Sequence, residues 1–176
     1  MARIVFITIL FLLNIQNVTK AQVIEAQNIY DAQAIYLYNI CKYMQWAEED
    51  QKGNFIIAVF SNDPIVASLK KIASTRKYVN QTIEIKTIKD IDELTKTHVL
   101  FVPSKKTNSL AQIMTKIGNS STLIVSDKKG SIALGSAINF VLSDDGKLKF
   151  ELKKSNITDR GIKLNNSIEK LALKLY

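Results

Sequence analysis

The chain has 176 residues, 47% of them apolar and 23% charged, with a formal net charge of +8 and one cysteine. That length and balance describe one globular domain and exclude a disordered chain. The positive charge raises nucleic acid as a partner. However, Lys52, Lys70, Lys71, Arg76, Lys77, Lys105, Lys106, Lys128, Lys129, Lys153 and Lys154 fall mostly in pairs at element ends, with no Arg-rich helix or basic stripe among aromatics, so a lysine-rich solvated surface is the better reading.

Residues Met1–Ala21 read as an export signal: Arg3, an apolar run from Ile4 to Leu13, and a small-x-small site at Thr19-Lys20-Ala21. The run is too short for a spanning helix, which needs about 20 residues. The expected organisation is therefore a signal peptide over 1–21 and a soluble domain over 22–176, with no membrane insertion after cleavage; the alternative is a signal that stays uncleaved as an anchor. No cysteine follows the apolar run, which argues against a lipid anchor of the bacterial lipoprotein kind.

From Ile29 to Ala47 the chain reads as a helix free of Gly and Pro that carries four of the six tyrosines and the only tryptophan. Ile29, Tyr36, Ile40 and Tyr43 recur along one face, and Ala32, Ile35, Tyr38 and Cys41 add a second apolar stripe. A helix apolar around so much of its circumference must be covered on more than one side. Tyr36, Tyr43, Met44 and Trp46 are the candidates for contact with a partner, the competing reading being that they are core. Cys41 reads as a small buried hydrophobe, the sharper alternative being a bridge between two copies of this helix.

Phe55–Phe60, His98–Val102 and Thr122–Ser126 are short continuous apolar runs, as expected of internal strands covered on both faces. Thr82–Ile88 alternates and reads as a half-buried strand. Helices are expected over Ile65–Ser74, Lys89–Leu94 and Ser104–Gly118, with Arg76–Gln81 a polar connection. Strands alternating with helices predict an α/β domain with a mostly parallel central sheet flanked by helices. Ile138–Leu142 and Lys147–Leu152 around Asp145-Gly146 predict a C-terminal β-hairpin, followed by a helical turn over Lys153–Arg160, an extended Ile162–Leu164 and a terminal helix over Asn166–Leu175.

Chemistry-bearing motifs are sparse. His98 has no second His or Cys near it in sequence and no Gly-x-Ser-x-Gly elbow to serve, so a satisfied, partly buried histidine is the first reading and a hydrolase centred on it the alternative. The loop Asp127–Ser136, with Gly130, Ser131, Gly135 and Ser136, offers backbone donors where open α/β sheets bind ligands, but it lacks a phosphate-binding glycine pattern. A small-ligand sensor using that loop is the second functional reading. Asp144 and Asp145 read as solvated turn residues, and Asp90, Asp92 and Glu93 as caps. No catalytic residue, metal site or cofactor is expected.

Ala34-Ile-Tyr-Leu-Tyr-Asn-Ile-Cys-Lys-Tyr-Met-Gln-Trp46 is similar to the Lys-Ala-x-Phe-Ile-Tyr-Asn-Phe-x-Lys-Tyr-x-x-Trp-Pro opening of the YfiR family. The resemblance continues through Phe55-Ile-Ile-Ala-Val-Phe, His98-Val-Leu-Phe-Val, Leu123-Ile-Val-Ser-Asp, Ile138-Asn-Phe-Val, Lys149-Phe-Glu-Leu and Gly161-Ile-Lys-Leu-Asn-Asn-Ser. It implies a periplasmic regulator from a Gram-negative bacterium, often dimeric. Such a regulator binds the sensor region of an inner-membrane signalling protein, either a diguanylate cyclase or a sensor kinase, and it carries no catalytic residues. Ala47 and His98 depart from the Pro and Cys common at those positions in the family. With Cys41 alone, disulfide control within one chain is not implied.

Overall fold

The computed structural model describes residues 27–176; the expected signal over 1–21 lies outside them. The described chain opens in helix α1 (27–41), then turns into the short strand β1 (Met44–Gln45). Strand β2 (Phe55–Phe60), helix α2 (Ile65–Ala73), a hairpin of β3 (Lys77–Tyr78) and β4 (Gln81–Ile88), and strand β5 (Val99–Val102) follow. Next come helix α3 (Leu110–Ile117), strand β6 (Leu123–Ser126) and a hairpin of β7 (Ile138–Leu142) and β8 (Leu148–Leu152). The chain closes with helix α4 (Ser155–Thr158), strand β9 (Lys163–Leu164) and strand β10 (Lys174–Leu175).

The eight-stranded sheet has the order β10-β8-β7-β6-β5-β2-β4-β3. Its middle five strands, β7, β6, β5, β2 and β4, are parallel to one another. The direction of winding reverses between β2 and β5, which is the signature of a doubly wound α/β sheet. The expected hairpin is antiparallel, pairing Ile138 with Leu152 and Leu142 with Leu148, and Gly146 supplies the left-handed residue of its turn at φ 74°.

Strand alternation sends side chains into two cores. Ile57 and Val59, Val99 and Phe101, and Leu123 and Val125 meet Leu37 of α1 and Leu69 of α2. Ala58 and Phe60, Leu100 and Val102, and Ile124 meet Leu110 and Ile113 of α3. Apolar residues on both faces of these strands explain why their sequences read as unbroken runs.

Five segments differ in form from the sequence reading: the helix expected over Ile29–Ala47 ends at Cys41 and gives way to β1, the helix expected over Lys89–Leu94 is a 3-10 turn (Ile91–Glu93), and three more follow. Residues 104–117 begin as a 3-10 turn (Ser104–Ser109) and become α-helical only from Leu110. The terminal segment is a 3-10 turn (Asn166–Leu171) that passes into β10, because the open edge of β8 accepts from Leu173 and Tyr176 N–H at Phe150 O (2.8 Å) and Leu152 O (3.0 Å). Within the polar connection 76–81, Lys77–Tyr78 pairs with Gln81–Thr82 as β3 through a tight turn at Val79. Val79 has φ +50° and is 76% exposed, a left-handed conformation that disfavours a β-branched side chain. Val79→Asn is therefore expected to raise stability by about 1 kcal/mol, read as a higher urea midpoint; an unchanged or lower midpoint contradicts a strained turn.

Candidate contact surface

Helix α1 lies on the sheet through Ala34, Leu37, Ile40, Cys41 and Met44 just beyond its end, all 4% exposed or less. That inward line runs between the two stripes expected from the sequence, because Leu37 and Ala34 point squarely at the sheet. The outward line is Ile35, Asn39 and Lys42, and Ile35 is 52% exposed. Tyrosines flank this ridge. Tyr36 is half-buried and meets Phe140 edge-on at 6.4 Å, and Tyr43 is half-buried beside it. On the other flank Tyr38 donates its hydroxyl to Lys77 O (3.2 Å).

A groove lies on each side of the ridge. One, about 420 Å³, lies between α1 and α2 and is lined by Ile35, Tyr38, Lys42, Lys71, Ile72 and Arg76 among others. The other, about 630 Å³, runs between α1 and the β8 edge past Tyr36, Ile40, Tyr43, Phe150, Ile168 and Leu171. Ile35 and Lys42 line both. The structure therefore brings Tyr36 and Tyr43 to a continuous surface with Ile35, which the sequence reading had placed only in a stripe.

Met44 and Trp46 are corrected from contact candidates to core. The chain leaves the helix at Lys42–Tyr43 and pairs Met44 with Leu164 in the β1–β9 ribbon, which swings Trp46 inward. Its indole N–H donates to Ser121 O (2.7 Å), and its ring stands edge-on to Phe55 at 5.0 Å and Tyr78 at 5.5 Å. Tyr78 in turn donates to Met44 O (2.6 Å), closing a buried aromatic cluster. Cys41 is 1% exposed and burial pushes its thiol up to about 12, so it is a small core hydrophobe rather than a group available for bridging two copies.

His98 belongs to the same cluster. Its Nδ1 accepts from Ile56 N–H (2.9 Å), its Nε2 lies 2.7 Å from Asp50 O, and its ring stacks on Phe55 at 4.6 Å. An imidazole that accepts at one nitrogen and faces a carbonyl with the other is the neutral Nε2–H form. Burial lowers its pKa. The neutral form is favoured in the fold, so its stabilisation is complete above the unfolded value of about 6.5 and is lost as pH falls through the lower folded value. Stability is expected to decline as pH falls below about 6.5 in the wild type, with a shallower decline in His98→Gln. Equal slopes in the two melting series would contradict this role.

The loop after β6 folds back on itself. Asp127 accepts from Ser104 N–H (2.6 Å), tying the β5 and β6 loops, and burial raises its pKa with the Asp63 charge adding to the effect. Gly130 (φ 88°) and Gly135 (φ 110°) bracket a 3-10 turn over Ser131–Leu134. The N–H groups of Ser131, Ala133, Gly135 and Ser136 bond to Lys128, Gly130, Ile132 and Ser131 carbonyls, so these four donors close the loop rather than face a ligand. A Cβ on Gly135 would lie 2.9 Å from Met114. Ser136 is fully buried. Among the described residues no group of three or more His, Cys, Asp or Glu side chains is placed to hold a metal, and no helix is long and apolar enough to cross a membrane.

These features define a doubly wound α/β domain whose histidine and cysteine serve its core and whose helix α1 presents Ile35 with the polar Asn39 and Lys42, flanked by half-buried tyrosines. The chain belongs to the YfiR/HmsC-like family, which it matches over residues 30–173, a family of regulators rather than enzymes. No curated protein matches the chain. Among solved structures it is similar to the ABC domain in complex with L-Trp from Streptococcus pneumoniae, at 14% identity and a TM-score of 0.55. That likeness covers 79% of this chain and 59% of the other, so the chain spans less than two thirds of that protein; it shows the shared fold.

Proposed function

We propose that this protein is a periplasmic regulator that controls an inner-membrane signalling protein, a diguanylate cyclase or a sensor kinase, by contact with its periplasmic sensor region and without chemistry of its own. Family membership supports the regulatory class. The observation that carries the contact reading is the α1 ridge: Ile35, half exposed between the half-buried Tyr36 and Tyr43 on one flank and Tyr38 on the other, with a groove on either side. Rigid aromatic rings around an apolar knob give contact area at low entropic cost.

The test is capture from the membrane fraction of the protein's own host. The expected result is retention of a signalling protein with a periplasmic sensor region. Retention of none, or retention unchanged by Ile35→Asp, contradicts the reading. A second copy of the chain is the other partner proposed, on the family resemblance; sedimentation as a monomer at high micromolar concentration would remove it.

A further inference from the structure

The groove between α1 and α2 carries a charge pattern that the apolar Ile35 does not explain. Lys42, Lys71 and Arg76 line it together with Ile35, Tyr38 and Ile72. Lys42 Nζ is held by its own helix, 4.4 Å from the Tyr38 ring centre and 3.0 Å from Asn39 Oδ1. Among the described residues, the ion pairs found involve Lys86, Lys96, Lys105, Lys116, Lys147 and Lys154, and none involves these three cations. Among the described residues that line the groove the one carboxylate, Asp31, accepts from Ser68 Oγ (2.5 Å) and Gln27 Nε2 (3.2 Å). Those bonds, with a smaller contribution from the Lys71 charge, keep it ionised. The groove is thus left with a surplus of positive charge.

Ile35 forms the shared wall of this groove, so a partner that covers Ile35 also brings low-dielectric matter over Lys42, Lys71 and Arg76. Cations covered without counter-charges lose hydration and gain nothing in return. We infer that the occupant of this groove is an acidic segment of the partner's sensor region, presenting Asp or Glu carboxylates beside the apolar side chains that cover Ile35. The inference rests on the contact reading above and names the chemistry of the contacting segment. A free small anion would leave Ile35 uncovered. A lipid headgroup layer meets convex or flat faces, whereas these cations line a concavity between two helices. Lys71 from α2 and Arg76 from the segment after it line the groove together with Lys42 from the end of α1, so a segment lying along α1 would meet cations contributed by both helices' sides.

Two measurements test it with the full exported protein. In the first, fluorescence anisotropy follows a labelled Glu-Leu-Glu-Glu-Phe-Leu-Glu-Glu peptide and its counterpart with Gln for every Glu. The expected result is binding of the Glu peptide that weakens about tenfold or more in the Gln peptide, in Lys42→Glu/Lys71→Glu/Arg76→Glu, and at high salt. Lys128→Glu/Lys129→Glu/Lys163→Glu, which changes net charge equally elsewhere, is expected to leave it within about twofold. Equal loss in both triple variants, equal binding of both peptides, displacement by millimolar inorganic phosphate, or displacement by phosphatidylglycerol vesicles overturns the inference.

The second measurement repeats the membrane capture with Ile35→Asp and with the groove triple variant. Loss in both supports the inference. Loss in Ile35→Asp alone overturns the acidic-segment inference and keeps the ridge as the contact surface. Loss in neither overturns both.

Discussion

Replacing Trp46 with alanine lowers the stability of the fold by about 3–5 kcal/mol. The indole is 2% exposed and joins four parts of the chain. Its N–H reaches Ser121 O ahead of β6, and its ring meets Phe55 of β2, Tyr78 of β3 and His98 ahead of β5. Alanine removes the edge-to-face contacts, opens a cavity, and takes the donor from the partly buried Ser121 carbonyl. For a domain of this size the loss corresponds to a melting temperature lower by about 8–15 °C. Trp46→Phe keeps an aromatic ring but not the donor, and a smaller cost of about 1–2 kcal/mol is expected. Differential scanning calorimetry of the two variants gives the ranking; a Trp46→Ala change of under about 1 kcal/mol would contradict a structural role. The same substitution is a poor probe of partner binding, since any loss of capture would follow from unfolding.

Ile35→Asp is expected to do the opposite, weakening partner binding about a hundredfold while stability stays within about 0.5 kcal/mol. Ile35 is half exposed and lies on the outward line of α1, away from the sheet-facing Leu37 and Cys41. An aspartate there is solvated in the free protein, but in a complex it places an unpaired carboxylate in an apolar contact. Tyr36→Ala is expected to show a mixed effect, because Tyr36 also packs edge-on against Phe140. Comparing the pair separates contact from support: binding lost with stability kept marks the first, and both reduced marks the second.

The central strands were legible because both their faces are buried. Phe55–Phe60 appears with those same bounds, and the Asp145-Gly146 hairpin forms as its turn residues require. Strand β3 was hidden because the turn joining it to β4 carries Val79 at a position where Gly or Asn announces a turn. The terminal helix read from Ile168, Leu171, Ala172 and Leu175 is a 3-10 turn and a strand, since Leu171, Leu173 and Leu175 also fit a period of two and an open sheet edge decided between them. Of the contact candidates, Tyr36 and Tyr43 remain at the surface. Met44 and Trp46 could not be told from them by spacing, because the helix ends before Met44 and helical phase no longer applies. Lys71, Ile72, Arg76 and Leu171 were not legible as neighbours of α1 at all; only the packing of α2 and β8 beside it places them there.

The most direct test of the ridge as the working surface is a binding isotherm. The purified protein and its Ile35→Asp variant, matched in melting temperature, are titrated against the purified sensor region recovered from the host membrane. The account predicts saturable binding by the wild type and a dissociation constant raised about a hundredfold in the variant. Isotherms that superimpose while both proteins remain folded would contradict it.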